Sequence, residues 1–415
     1  MKIYKARYLL PIGAPPIEDG ALLVEAGRIL AVAPYRELAA THPRVAAVDF
    51  EDAVILPPMV NAHAHLELTN FSQWAEHAGE REAPADFVDW ILRLVRVRRM
   101  IGDTAVHASL FEGLWESLAA GTGAVGDVLT TLTAAPVYAG TPLRGRIFCE
   151  VLGIDQAKVA ARLSEVAACQ REQPEIAAFA WGLSPHAPYT LNAETLGQSL
   201  DFARQHALPL AIHWAETIEE LEFLGSHSGP LAKRLYPAAG WKLPANPVTT
   251  GRAAHLPPAN ILVHGVHVDA AGVESIARAG LAVVLCPRSN SSFGDARAPV
   301  ASYRQAGVPL ALGTDSRASS PSLSLWEELA FARHWFTGAL DPRAWLEIAT
   351  AGGAAVLGLD RRLGRLSAGL EASFQVVSRP DGATAATLDE ALCASGRTIA
   401  VQALFLGGEN VLPPR

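Results

Sequence analysis

Pro58-Met59-Val60-Asn61-Ala62-His63-Ala64-His65-Leu66-Glu67 decides how the rest of the chain is read. It follows the apolar run Val54–Leu56 and ends in a polar cluster. In an extended strand, residues two apart project from the same face. His63 and His65 can therefore converge on one point at the C-terminal end of such a strand. A lone His-x-His also describes a turn with two surface histidines, so the residues downstream must decide between the readings.

The chain has 415 residues, half of them hydrophobic, which suits one large α/β domain with an appendage. A formal charge of −8 argues against a partner with a phosphate backbone, so no nucleic-acid partner is expected. The four cysteines, Cys149, Cys169, Cys286 and Cys393, are widely scattered. Their spacing is neither that of a metal site nor that of a disulfide framework. The start, Met1 to Arg7, lacks the apolar centre of a signal peptide, and no uncharged apolar stretch is long enough to cross a bilayer. The expectation is a cytoplasmic protein with a small-molecule substrate and no membrane partner. Oligomeric state is open, a homo-oligomer included.

Residues 1–57 carry short β-type runs, Tyr8-Leu9-Leu10, Ala21 to Val24 and Arg28 to Val32, punctuated by Gly20 and Gly27. Residues 363–415 have the same texture in Phe374 to Val377, Thr398 to Val401 and Ala403 to Leu406. The two ends are expected to pair into one small β-sandwich domain. Between them, over 58–362, strand-type runs alternate with helical patterns such as Ala105–Ala120 and Asn192–His206. The expected strands are Val54–Asn61, Ala124–Val128, Gly145–Leu152, Ala178–Ser184, Pro209–His213, Asn260–Val266, Leu281–Cys286 and Val308–Thr314. Eight strand–helix units predict a parallel, closed (β/α)8 TIM barrel, whose chemistry sits at the C-terminal ends of the strands.

Reactive side chains collect at those ends. The first strand leads to His63 and His65, the fourth to His186, the fifth to His213 and Glu216, the sixth to His264, and the eighth to Asp315. Five of thirteen histidines fall where a barrel would put catalytic groups. His63, His65, His213 and Asp315 form a nitrogen and oxygen donor set suited to one divalent metal, zinc in the first instance and Fe²⁺ as the other candidate. Such an ion lowers the pKa of its water to about 7. Glu216, three residues beyond His213, is placed to reach a substrate rather than the metal.

The order P-x-x-V-N-A-H-x-H, S-P-H-A-P-Y, H-x-x-E, V-H-x-V-H, C-P-x-S-N and G-T-D-S resembles the amidohydrolase superfamily, and more narrowly its purine and pyrimidine aminohydrolase branch. The resemblance runs from about residue 54 to 316, with the Thr350-to-Ala355 helix and both chain ends added. It implies a mononuclear metal site. Binuclear relatives carry a carboxylated lysine after the fourth strand, and none of the five lysines here lies there. The Pro-Cys-x-x-Cys element of the other zinc deaminases is also absent. The implied reaction is hydrolytic deamination at an amidine carbon, C6 of a purine. Asp315 would act as base toward the attacking water and Glu216 as proton donor and shuttle. His264 would steer the water and His186 would contact the substrate.

His-x-His-Leu-Glu-Leu followed by Phe87-Val88-Asp89-Trp90 is similar to the aminodeoxyfutalosine deaminases of menaquinone biosynthesis, whose nucleoside carries a carboxyphenyl ketone. That resemblance makes Phe87 and Trp90 candidates for packing on ribose or ring. The carboxylate would want a guanidinium. Arg93, Arg96 and Arg99 repeat every three residues on a probable helix, and Arg144 and Arg146 flank the third strand. Arg99 and Arg146 are the two taken forward. Glu67 reads either as a substrate contact or as a loop cap. The loop after Asp315 and the segment Glu371 to Val377 depart from the usual family pattern, and the latter is expected to touch only the small domain. Other readings are an S-adenosylhomocysteine, adenosine or guanine deaminase, a triazine chlorohydrolase, or a barrel serving as a non-catalytic scaffold.

Overall fold

The computed structural model describes residues 1–245, 248 and 261–412. Asn260, where the sixth expected strand begins, and the last three residues of the expected end domain lie outside the described residues.

Eight parallel strands form the middle of the chain. β1 (Met59–Ala64), β2 (Thr122–Leu129), β3 (Arg144–Val151) and β4 (Phe179–Pro185) pair in that order, with the short Glu175–Ile176 strand antiparallel at the edge beyond β4. β5 (Ala211–Trp214), β6 (Ile261–His264), β7 (Ala282–Leu285) and β8 (Leu310–Leu312) form a second parallel sheet in sequence order. Single parallel bridges span both junctions. Leu183 pairs with Leu210, between β4 and β5, and Ala64 pairs with Asp315, between β1 and the residues after β8.

The two faces of these strands have different packing. Val60, Ala62, Ala124, Val128, Val263, Val284 and Ala311 belong to one small buried cluster together with Leu357 and Leu363. Val125, Leu129, Ile147 and Val283, on the other face, belong to the main core. Helix Asp103–Ala119 adds Leu110, Leu114 and Leu118, four residues apart on one stripe, to that core.

The first expected strand, Val54–Asn61, is two strands. Ala53–Leu56 pairs antiparallel with Phe374–Ser378 and joins the chain ends, whereas β1 begins at Met59. Pro57 and Pro58 separate them, because neither can donate a ladder hydrogen bond. The ends form two sheets. One has six strands, with Val401–Leu406, Phe374–Ser378, Ala53–Leu56 and Tyr8–Leu9 at its centre. The other has four, ordered Arg28–Pro34, Gly20–Glu25, Lys2–Lys5, Ala47–Asp49. Tyr4, from the four-stranded sheet, packs 5.1 Å from Phe374 and 5.0 Å from Phe405 of the six-stranded one.

The departure at Glu371 to Val377 reaches beyond these ends. Buried Gln375 donates to the Pro57 carbonyl at 2.9 Å and accepts from Trp326 Nε1 at 3.2 Å. It therefore ties the end sheet to helix Leu325–Trp335, contrary to the expectation that this segment touches only the small domain.

β1 and the end of β8 lie unusually close. The Asn61 amide replaces a regular ladder, donating to Thr314 Oγ1 at 2.8 Å and accepting from Thr314 N at 3.1 Å. A Cβ on Gly313 would stand 2.8 Å from the His63 carbonyl oxygen and 2.9 Å from its Cβ. Neither side can yield, since both are backbone-anchored. Gly313→Ala is therefore expected to lower unfolding free energy by roughly 1–3 kcal/mol, as overpacking does. A denaturant melt checks this, and a variant as stable as the parent would contradict the close approach.

Candidate active site

The C-terminal ends of β1, β5, β6 and β8 bring His63, His65, His213, His264 and Asp315 together. Simple alternation along β1 would not do this. Ala62 packs with Val60 in the smaller buried cluster, so His63 next to it should point to the opposite face. The pairing register with β2 slips between Asn61 and Ala64, and this irregularity lets His63 turn to the same side.

His65 Nε2 lies 3.2 Å from His213 Nε2. Asp315 Oδ1 lies 3.6 Å from both His63 Nε2 and His65 Nε2. Donors about 2.0–2.1 Å from one ion at tetrahedral angles sit about 3.3 Å from each other. His63 Nε2 is buried and has no hydrogen-bond partner, an orphan that a coordinated ion would satisfy. His63, His65 and His213 offer ligand atoms within 4.8 Å of one another, as do His63, His264 and Asp315. The four residues read from the sequence as ligands thus fit a divalent cation.

Electrostatics agree with that fit. Burial, then the neighbouring His63, holds the His65 imidazole down at about 4, and burial and surrounding imidazoles hold His213 well below its usual value. Both keep free lone pairs at neutral pH. Burial alone would raise the Asp315 pKa, but the contact with His63 and the nearby imidazoles outweigh it and hold the group as a carboxylate. Outer contacts orient these side chains. His213 Nδ1 lies 2.7 Å from the His186 carbonyl, so Nε2 is the nitrogen left for a metal. Ser289 donates to Asp315 Oδ2 at 2.6 Å, and the Ser316 amide donates to Oδ1 at 2.8 Å.

Glu216 stands beside this cluster, its Oε1 3.5 Å from His264 Nε2. Burial, with Asp315 and Glu220 as further causes, raises its pKa well above the usual carboxylate value, a shift that favours the protonated form. Asn290 Nδ2 donates to His264 Nδ1 at 3.0 Å, which leaves the hydrogen of a neutral His264 on Nε2. Burial pushes His264 down to about 3. Ala215, His264 and Asp315 all have positive φ, at 49°, 76° and 58°. Three non-glycine residues in the left-handed region at three strand ends are backbone strain held at a site.

The other sequence candidates divide. A cavity of about 820 Å³ is lined by His65, His186, His213, Glu216, His264 and Asp315, and also by Glu67, Trp90 and Arg99. Both Glu67 oxygens are held by backbone amides, Thr131 N at 3.1 Å and Thr130 N, so this carboxylate clamps a loop. Trp90 lines the cavity with Nε1 donating to the Ala318 carbonyl at 3.1 Å. Phe87 lies behind it, buried among Trp90, Tyr189 and Phe293, and does not line the cavity.

In the arginine run, Arg93 and Arg96 hold Glu80, and Arg98 holds Ile101 and Thr131. The Arg99 side chain makes no hydrogen bond or ion pair with the described residues and is exposed at the cavity. Arg144 pairs with Glu371. Arg146 is a correction. It sits near the start of β3, where its guanidinium donates to the Trp181 carbonyl at 2.9 Å and the Leu357 carbonyl at 3.2 Å, away from the cavity. Ser289, Asn290, Glu220 and Glu150 are site residues that the sequence reading gave no role. Their only signal was proximity to motifs, as in Cys286-Pro287-Arg288-Ser289-Asn290.

Residues 54–411 match the Amidohydrolase family. The chain belongs to the amidohydrolase family. It is therefore a hydrolase acting on carbon–nitrogen bonds. Residues 20–44 of this amidohydrolase also match a bacterial imidazolonepropionase-like composite domain. An aminodeoxyfutalosine deaminase of Deinococcus radiodurans is 33% identical over 358 residues, covering 82% of this chain and 81% of that protein. A 5-methylthioadenosine/S-adenosylhomocysteine deaminase of Halobacterium salinarum is 32% identical over 377 residues, covering 87% and 80%. The crystal structure of Helicobacter pylori aminofutalosine deaminase shares the fold at a TM-score of 0.84 and 21% identity, covering 99% of this amidohydrolase and 100% of that chain. A zinc-bound adenosine deaminase from Xanthomonas campestris aligns at a TM-score of 0.78 and 25% identity, covering 100% and 93%.

Glu220 supports the turn that presents Glu216, accepting the Ala215 amide at 3.0 Å and the Glu216 amide at 2.8 Å. Burial raises it to about 7 from the ordinary 4.5. The folded state thus binds a proton there that the unfolded chain releases earlier. This contribution is complete below about pH 4.5 and is lost as pH rises through 7. Relative to Glu220→Gln, which does not titrate, the parent should lose stability between pH 5 and 8. Paired denaturant melts across that range check it, and a constant difference would count against the shift.

Proposed function

We propose that this amidohydrolase removes ammonia from an adenine-type nucleoside, with 6-aminodeoxyfutalosine of menaquinone biosynthesis as its substrate. The observation that carries the reading is Glu216, shifted upward by burial and facing His264, beside four metal-type donors, three of which line one large cavity. The names of the two relatives at 33% and 32% identity supply the substrate class. The second of them also favours a second reading, 5-methylthioadenosine or S-adenosylhomocysteine as substrate. The architecture belongs to the same proposal: the eight parallel strands close into one (β/α)8 barrel, and the chain ends form a β-sandwich beside it.

A divalent ion held by His63, His65, His213 and Asp315, zinc by our assignment, would supply a water acidic enough to lose a proton near pH 7. Asp315, kept as a carboxylate by its imidazole neighbours, accepts that proton on the side facing the substrate. His264, its Nδ1 bonded to Asn290, presents Nε2–H to orient the attacking oxygen. Glu216 gives its proton to the ring nitrogen beside the amidine carbon, C6 of the purine. It then takes the remaining hydroxyl proton of the adduct and passes it to the departing amine, and the proton held by Asp315 returns to Glu216. Water adds, ammonia leaves, and Glu216 and Asp315 end as they began. Two carboxyl groups with opposite pKa shifts provide the acid and the base of one reaction.

A cavity of about 820 Å³ has room for a nucleoside with a large 5′ substituent. Trp90 offers a flat surface there, and Arg99 offers a guanidinium without a protein partner among the described residues. His186 is proposed to touch the base. The four cysteines are free thiols, which suits the reducing cytoplasm.

Ammonia release from 6-aminodeoxyfutalosine, 5-methylthioadenosine, S-adenosylhomocysteine, adenosine and guanine, with metal measured in the same sample, tests the reading. No release from any of them would overturn it. Glu216→Gln should keep its metal while kcat falls roughly 10²–10⁴-fold, the contribution of a positioned proton donor. Arg99→Ala should raise KM for the carboxylated nucleoside about five- to twentyfold, the loss of one charge-assisted bond, and leave adenosine within about twofold. Equal losses on both substrates would remove Arg99 from recognition.

A further inference from the structure

One carboxylate in the cavity has a role that nothing above uses. Glu150 ends β3 and is 7% exposed. Its Oε2 accepts from Thr130 Oγ1 at 2.8 Å. Its Oε1 has no hydrogen bond among the described residues and lies 4.0 Å from His186 Nε2, too far for one. Among the described residues, no lysine or arginine forms an ion pair with it. Arg162 is adjacent, but it holds the Glu150 backbone carbonyl at 3.0 Å and the Thr130 carbonyl at 2.7 Å and so fixes both strand ends. Arg98 is committed to Thr131 and Ile101. A buried carboxylate oxygen that faces a cavity with no protein donor is suited to a ligand donor.

Position decides which donor. From the reacting end, the wall runs stepwise: Asp315 to His65 at 3.6 Å, His65 to His213 at 3.2 Å, His213 to His186 at 4.8 Å between ring centres, and His186 to Glu150 at 4.0 Å. With C6 of a purine at Asp315, the base spans the imidazoles and its sugar emerges beyond His186. Glu67, the other carboxylate on this wall, is saturated by backbone amides and cannot take a sugar hydroxyl on the same terms.

We propose that Glu150 reads the sugar of the substrate, accepting a hydrogen bond on Oε1 from a ribose 2′- or 3′-hydroxyl, and so selects ribonucleosides over deoxyribonucleosides. Thr130 is the positioning residue, because its hydroxyl turns Oε1 toward the cavity. This inference rests on the nucleoside reading above.

The test takes the nucleoside that the wild-type enzyme turns over best and compares it with its 2′-deoxy and 3′-deoxy analogues. One charge-assisted hydrogen bond corresponds to a preference of roughly 10- to 100-fold in kcat/KM for the hydroxyl that is read. In Glu150→Ala that ratio should fall toward one. In Glu150→Gln, which keeps the shape and one acceptor oxygen, it should fall at least about threefold, so the test survives if the alanine variant does not fold. Unchanged metal content would show that the site itself is intact. A wild-type enzyme with no preference, or a folded variant that loses the same factor on all three compounds, would overturn the inference and leave the deaminase reading standing. A wild-type enzyme that turns over no nucleoside would overturn both.

Discussion

A carboxylate, Asp315, is buried among imidazoles, and that arrangement constrains the rest of the molecule. Its cost in lost hydration is offset by contacts at close range, from Ser289, Ser316, Ser319 and the rings of His63 and His65. The same residue forms the bridge to Ala64 that joins the first and last parallel strands, and its amide donates to the His63 carbonyl at 3.1 Å. Bridging those two strands and assembling the donor set therefore depend on the same residue. The positive φ of Asp315 is tolerated because contacts on both sides determine it.

Around that carboxylate the protein separates acid from base by environment alone. Glu216 and Asp315 are both buried carboxyl groups of one cavity wall. Burial, and then Asp315 and Glu220, shift Glu216 upward, whereas the contact with His63 and the nearby imidazoles outweigh burial and shift Asp315 downward. The short helix Pro287–Ser291 sets both sides of this division: Ser289 bonds Asp315 and the next residue, Asn290, bonds His264. Arg288 anchors that helix through a buried pair with Glu328, 2.6 Å apart, so these orientations are braced from the core.

The residues hardest to place from sequence were those whose role depends on a partner. Arg99 and Arg146 look equivalent as letters, yet one reaches the cavity and the other spends its donors on the Trp181 and Leu357 carbonyls. Phe87 and Trp90 share a helix and a spacing, but the stack with Phe293 and Tyr189 leaves only Trp90 on the cavity surface. Glu67 and Glu150 are both carboxylates at strand ends, and backbone amides occupy one and not the other. The break at Pro57-Pro58 was visible in the sequence, because proline lacks a donor, yet the apolar run across it still read as one strand.

By itself the sequence determined the alternation of strands and helices, the strand ends at which His63, His65, His213, His264 and Asp315 fall, and the family. These are local or periodic properties: apolar runs of strand length, and reactive residues placed just after them. Only the tertiary structure decided that His63 turns inward through a register slip, that the pKa of Glu216 shifts up while that of Asp315 shifts down, and that Glu150, held by Thr130 on one oxygen, lines the cavity with no hydrogen bond to the other among the described residues. Each of these depends on desolvation and on groups distant in the chain, which a one-dimensional pattern does not encode.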